Sequence, residues 1–479
     1  MKRAGILLLT LTLSFALLLQ PVFAESAAAP ETTGTTAAGE TTESVTETAA
    51  EQEALYNKDT GFSAVDGFSV AGTSAMLLDL NSGVILYSQN PDQKVYPASL
   101  TKIMTCLIAI ENGNLTDTVT VTATALAGLD SDGTVAELKV GEQMTLKDML
   151  YCAYVPSANE ACNVIAEHIG GSVENFVAMM NEKAAELGCT GTHFANAHGL
   201  HDENHYSTAR DLIKIATAAL QNDTFRELCY TTKYEVPATN MSEARTLYTT
   251  NYLVSTDKSY KYYYEKAKGV KTGYTSAAGR CLISTAESGN LHLLSIVTGC
   301  ATTEDEDGEY TLHSFPETKS LFEYGFNNFE YVTVLSPMVP IAEVPVNGGE
   351  SSSVVVAPVS EASFVLPKGY ETADVTTTLT LTDGSYVQAP LSAGDVIGSV
   401  SVFYKGELLG SSDIAPITAV AAGSSTFHAE ADTSVAQETG KSVSWPLVLL
   451  VLAALLLGVY FFSYVYRNVT RSRKKRRKR

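Results

Sequence analysis

Tyr96-Pro97-Ala98-Ser99-Leu100-Thr101-Lys102-Ile103-Met104-Thr105 places a serine at the mouth of a helix and a lysine one turn along it. Pro97 and Ala98 lead into an apolar run, 103–111, that has helical character and stops at Gly113. A helix that begins at Ser99 carries Lys102 on the same face, because residues three apart are neighbours there. A serine hydroxyl is a weak nucleophile at neutral pH and needs a base within hydrogen-bond reach. A lysine serves as that base when burial or a second cation lowers its pKa. The helix N-terminus also favours negative charge developing near Ser99. By itself the pair says little, since Ser is a common helix cap and Lys a common surface residue.

Outward from this stretch, strand and helix patterns alternate. Residues 74–79 and 84–88 flank Asn81-Ser82-Gly83 and predict a hairpin; 280–286 and 291–299 flank Glu287-Ser288-Gly289-Asn290 and predict another. Between the hairpins lie helical patterns at 99–111, 146–154, 158–169, 173–187 and 209–220. Helices between early and late strands predict an α/β (α+β) domain over 61–327, an antiparallel sheet whose edges come from both ends of the segment. Beyond it the character changes. Short β runs at 353–356, 362–366, 375–381 and 398–404 alternate with Gly/Pro turns, and Asp383-Gly384 and Lys405-Gly406 have hairpin-turn chemistry. Residues 328–420 are therefore expected to form a small all-β domain.

Two further segments carry candidate chemistry. Ser157-Ala158-Asn159, in a turn between two helical patterns, can present two side chains to a cleft, although the tripeptide is also ordinary helix-capping sequence. In Lys271-Thr272-Gly273-Tyr274, strand alternation points Lys271 and Gly273 one way and Thr272 the other. The glycine is expected to remove bulk so that substrate lies against the strand backbone, and Lys271 to supply positive charge. S-x-x-K, S-x-N and K-T-G in that order form the set shared by β-lactamases and penicillin-binding proteins.

At these residues the sequence resembles the serine-type D-Ala-D-Ala carboxypeptidases, the low-molecular-weight penicillin-binding proteins. The likeness extends to Ser157-Ala158-Asn159-Glu160-Ala161, to Thr192-His193-Phe194-Ala195-Asn196 with Gly199-Leu200 and Ser207-Thr208-Ala209-Arg210-Asp211, and to Gly269-Val270-Lys271-Thr272-Gly273-Tyr274-Thr275 with Ala278-Gly279. The resemblance implies a β-lactamase/transpeptidase-like sheet flanked by helices, with the β domain as a stalk. It implies that Ser99 attacks the D-Ala-D-Ala carbonyl, Lys102 accepts its proton and Ser157 relays a proton. It implies that Asn159, Lys271, Thr272, Gly273 and Tyr274 bind substrate, and that the N–H groups of Ser99 and Tyr274 hold the oxyanion. Peptidoglycan stem peptides and β-lactams are the partners so implied; no cofactor and no metal is expected. Some relatives carry a basic residue after the last hairpin, where this chain has Glu304-Asp305-Glu306-Asp307, so additional carboxylate binding is not expected from that loop.

The chain ends set the compartment. Residues 1–24 have the Lys2-Arg3 start, apolar run and Val22-Phe23-Ala24 end of a secretory signal. Residues 25–60 form an acidic Ala/Thr/Glu-rich spacer, and 421–444 a second spacer. Residues 445–466 are uncharged; at ~1.5 Å per residue such a helix is about 33 Å long, enough to span a bilayer. The basic tail 467–479 keeps that end cytoplasmic and the globular part outside. With the nine basic residues of the tail and the two of the signal set aside, 21 Lys and Arg face all 53 Asp and Glu, a balance of −32. That surface excludes nucleic acid as a partner. Seven cysteines, none in C-x-x-C spacing and most in apolar stretches, are expected to be mainly buried thiols.

Four other readings compete. A class A-like β-lactamase shares the fold but needs a glutamate base whose context is not evident here. A D,D-endopeptidase would share every motif. A zinc peptidase is suggested by His193, His198, His201 and His205, but His201-Asp202-Glu203-Asn204-His205 is not H-E-x-x-H. A non-catalytic sensor would need more than a short basic tail behind the span.

Overall fold

Ser74–Asp79 (β1) is buried along its whole length. Alternation along the strand explains this, since Met76 and Leu78 enter one hydrophobic core and Ala75 and Leu77 another. The strand thus lies inside a three-layer arrangement, as do its partners. With Ile85–Gln89 (β2), Ala267–Thr275 (β3), Gly279–Ser288 (β4) and Leu291–Cys300 (β5) it forms a sheet of order β2-β1-β5-β4-β3. Every pairing in that sheet is antiparallel. The computed structural model describes residues 67–127, 134–257 and 260–424. The signal at 1–24, the spacer at 25–60, nearly all of the second spacer, the span at 445–466 and the tail at 467–479 lie outside the described residues. Among the described residues no helix is long and apolar enough to cross a membrane.

One face of the sheet is covered by Lys102–Asn112 (α1), Leu146–Tyr154 (α2), Asn159–Gly170 (α3), Val173–Glu186 (α4), Ala209–Leu220 (α5) and Asp223–Tyr230 (α6). Helix α1 buries Ile103, Met104, Cys106, Leu107 and Ile108, as expected of a helix enclosed on every side. It begins later than the sequence suggests. Ala98–Thr101 form a 3-10 turn ahead of it, entered through Ala98 at φ 48, outside the right-handed helical region. The other face is covered by Ser314–Asn328 (α7), through Phe315, Leu321 and Phe322. Neither α6 nor α7 was expected. In α7, Pro316 and Gly325 break the apparent pattern, yet a Cβ at Gly325 would come within 2.6 Å of Leu293 and 2.8 Å of Leu77. The glycine lets the helix press onto the sheet.

The chain then enters Phe329–Leu335 (β6), Ala342–Asn347 (β7), Ser353–Pro358 (β8), Ala362–Pro367 (β9), Val375–Leu381 (β10), Val387–Gln388 (β11), Gly398–Tyr404 (β12) and Glu407–Pro416 (β13). Strands β6 and β9 form one ladder, and the rest a sheet of order β10-β12-β13-β8-β7-β11. Lys405 at φ 50 and Gly406 at φ 86 turn β12 back into β13. Asp383-Gly384 does not play that part: β10 pairs with β12 rather than with the strand after the turn. Tyr331 ties the two parts together, donating its hydroxyl to buried Asp79 at 2.5 Å. All seven cysteines are free and buried, with burial pushing the Cys162 thiol up to about 11.

Candidate active site

The nucleophile turn is wedged between two glycines. A Cβ on Gly273, in edge strand β3, would lie 3.1 Å from Pro97 O and 3.2 Å from Ala98 Cβ. A Cβ on Gly199 would lie 1.9 Å from Ala98 O. The first contact revises the sequence reading: Gly273 lacks a side chain so that the strand can meet the turn carrying Ser99, and room for substrate follows from that approach.

Lys102 Nζ lies 3.0 Å from Ser99 Oγ, 2.7 Å from Asn159 Oδ1 and 2.7 Å from His198 O. The amide and carbonyl oxygens can only accept. They claim two of the amine's hydrogens, so loss of the third leaves the lone pair facing the Ser99 hydroxyl. Lys102 is fully buried, and desolvation pulls its pKa below the ordinary lysine value. Lys271 is also buried, and burial followed by the charge of Lys102 brings its pKa down to about 7. Its ammonium donates to Thr272 O at 3.1 Å and lies 5.8 Å from the centre of the Tyr154 ring. Burial favours the neutral form of both amines.

Above these groups lies a cavity of about 290 Å³, lined by Ser99, Ser157, Asn159, Thr272, Gly273 and Tyr274. The three separated segments therefore meet at one opening. Lys271 is the exception: it is buried and is not among the residues that line the cavity. Ser157, at φ 68, has no hydrogen-bond partner for its hydroxyl among the described residues. Glu160 points elsewhere, accepting the Ala136 N–H at 2.5 Å. A larger cleft of about 660 Å³ lies away from this chemistry, between the hairpin turns and the β module, beside Asn81, Tyr331 and Phe364.

Thr134, Thr250, Tyr252 and Arg280 are among the lining residues that had no signal in the motifs. Thr250 and Thr272 join hydroxyls at 2.5 Å. Arg280 donates from Nε to Thr302 Oγ1 at 3.0 Å and stacks on Tyr274, 4.1 Å from the ring centre. It places a positive charge at the cavity lining. The four histidines of the zinc reading have separate tasks, and His201 lies against the Tyr96 ring and Glu203. His193 meets Asn204 O, His205 meets Thr101 and Ala195 N, and His198 Nδ1 accepts the Leu200 N–H.

Residues 58–302 match the model of the D-alanyl-D-alanine carboxypeptidase family. The chain belongs to that family. Residues 329–422 match the C-terminal domain of penicillin-binding protein 5, so the carboxypeptidase domain and the β module are both accounted for. The D-alanyl-D-alanine carboxypeptidase DacF of Bacillus subtilis is 31% identical over 345 residues, 71% of this chain and 84% of that protein. DacA of Haemophilus influenzae is 32% identical over 351 residues, 72% and 84% of the two chains. The crystal structure of penicillin-binding protein 5 from Haemophilus influenzae superposes with a TM-score of 0.57 at 30% identity, covering 74% of this carboxypeptidase chain and 99% of its own.

Proposed function

We propose that this protein removes the terminal D-alanine from peptidoglycan stem pentapeptides through an acyl-enzyme on Ser99. The observation that carries the reading is the 3.0 Å contact from Lys102 Nζ to Ser99 Oγ, with the amine's other bonds fixed by two pure acceptors. Substrate lies extended along the edge strand β3, which offers unpaired backbone groups. Its terminal carboxylate meets Thr272, Thr250 and Arg280, with Lys271 adding positive field from below. Neutral Lys102 takes the proton as Ser99 Oγ attacks the scissile carbonyl. The N–H groups of Ser99 and Tyr274 receive the oxyanion. The intermediate collapses as the amide C–N bond breaks and the proton passes through Ser157 to the departing D-alanine. Asn159, whose Oδ1 is held by Lys102, keeps its amide hydrogens for the acyl portion. Water then cleaves the ester and restores the serine. A β-lactam acylates Ser99 by the same steps.

The cellular setting belongs to the same proposal. The signal-like start, the uncharged 445–466 stretch and the basic tail support an extracytoplasmic enzyme held by a single C-terminal span. Protease treatment of intact cells would remove the globular part and leave a short membrane-bound fragment; full protection would refute this topology. For the chemistry, full-length protein treated with penicillin gains the mass of one adduct on Ser99, and Ser99→Ala gains none. An unlabelled wild-type protein would reject the acyl-serine mechanism. Product release from pentapeptides, compared with cross-linked dimers, separates carboxypeptidase from endopeptidase action.

A further inference from the structure

Behind the nucleophile turn runs a chain of hydrogen bonds that touches neither the catalytic lysines nor the cavity. The Ala195 N–H donates to His205 Nδ1 at 3.0 Å. That ring nitrogen therefore bears no proton, and the neutral imidazole carries its hydrogen on Nε2. Nε2 lies 2.7 Å from Thr101 Oγ1. With its lone pair so engaged, the Thr101 hydroxyl donates onward to Ala98 O at 2.8 Å. His205, Thr101 and Ala98 are each at most 2 % exposed, so water does not compete for these bonds. Burial holds the imidazole neutral, its pKa down at about 4, against the opposing pull of Asp202.

The last acceptor gives the chain its meaning. Ala98 O belongs to the peptide unit whose other end is the Ser99 N–H. In a trans peptide the C=O and N–H point in opposite directions. Holding the oxygen on the Thr101 side turns the Ser99 N–H the other way; its nitrogen lies 3.0 Å from the notional Cβ of Gly199 and 3.3 Å from that of Gly273, two glycines that line the cavity. Ala98 occupies φ 48, a conformation that is strained for a residue other than glycine and persists only where its surroundings impose it. We propose that His205, through Thr101, is a positioning residue that aims the Ser99 N–H at the carbonyl oxygen of the substrate. This rests on the acyl-enzyme reading of Ser99.

The test measures penicillin acylation of the full-length protein, split into reversible affinity and acylation rate, together with Tm. Thr101→Val keeps the shape and removes the hydroxyl. It is expected to slow acylation roughly 10- to 100-fold, less than outright loss of an oxyanion donor, with reversible affinity changed less than threefold. Thr101→Ser restores the rate. His205→Gln retains a donor at the reach of Nε2, whereas His205→Asn retains only the acceptor for Ala195. The relay predicts that Gln is the faster variant, and a purely structural role predicts Asn. A peptide boronate, which presents a tetrahedral oxyanion to Ser99, should lose affinity for Thr101→Val in step with the rate. The inference is overturned if Thr101→Val acylates at the wild-type rate, if Asn equals or surpasses Gln at position 205, or if rate and reversible affinity fall together with Tm. Failure of the wild type to acylate would instead sink the acyl-enzyme reading, so the two failures are distinguishable.

Discussion

The catalytic part and the β module bury different kinds of side chain. The first encloses Lys102, Lys271, Ser157, Asn159 and Glu160. The second, over residues 329–424, encloses Ser412 as its one buried polar side chain among the described residues and is otherwise filled by Val344, Val346, Val356, Val400, Val402 and Ile414. Apolar burial stabilises each domain, whereas a buried ammonium without a carboxylate partner opposes folding. Two lysines in such a setting mark the place where stability is given up for reactivity.

Five substitutions probe this contrast. Ser99→Ala should abolish penicillin labelling and lower D-alanine release by at least ~10⁴-fold, with Tm unchanged; a residual labelled fraction would show another nucleophile. Lys271→Met should slow acylation roughly 10²- to 10³-fold and yet raise Tm. The sign follows from linkage. The folded pKa is near 7 against an ordinary 10.5, so the unfolded chain holds a proton that the folded chain has lost between those values, and wild-type stability rises with pH across that window. The gain in Tm from Met is therefore largest below about pH 7 and fades toward pH 10.5. A Tm that falls at pH 6 would break the contrast.

Val400→Ala, in the module's core, should cost roughly 2 kcal/mol of stability and leave acylation by penicillin untouched; calorimetry and labelling kinetics check the two halves. Arg280→Ala should raise the KM for a D-Ala-D-Ala peptide about tenfold with little change in kcat. An equal KM with a lower kcat would move Arg280 from binding to chemistry. Tyr331→Phe should cost about 1 kcal/mol, because Asp79 Oδ2 retains both Ser82 donors at 2.9 and 2.7 Å. Any loss of acylation rate there would show that the β module communicates with the cavity.

Much of this was open to sequence reading where the signal is local. The hairpins at β1–β2 and β4–β5, the helices α2 and α5, and the strands β10 and β12 follow from period and turn chemistry over a few residues. The three motif segments stood out because each pairs a reactive type with a turn or helix start. Arg280, Thr250 and Thr134 left no such trace: Thr134 and Thr250 line the cavity from segments outside helix and strand, and Arg280 from the first residues of β4, where period and turn chemistry give a strand but no site. The run 304–307 carries carboxylates alone, and a cation that lines the cavity, Arg280, comes instead from β4.

The amino-acid order alone determined which residues hold the hydroxyl, the amines and the amide, since those are chemical identities spaced along local elements. It also determined that two differently patterned regions follow one another. Only the tertiary structure decided that Asn159 and His198 take two of the Lys102 hydrogens, that Lys271 is buried outside the cavity lining, and that His205 reaches the turn carrying Ser99. Those facts depend on distances between segments tens to hundreds of residues apart, which close packing fixes and linear spacing does not encode.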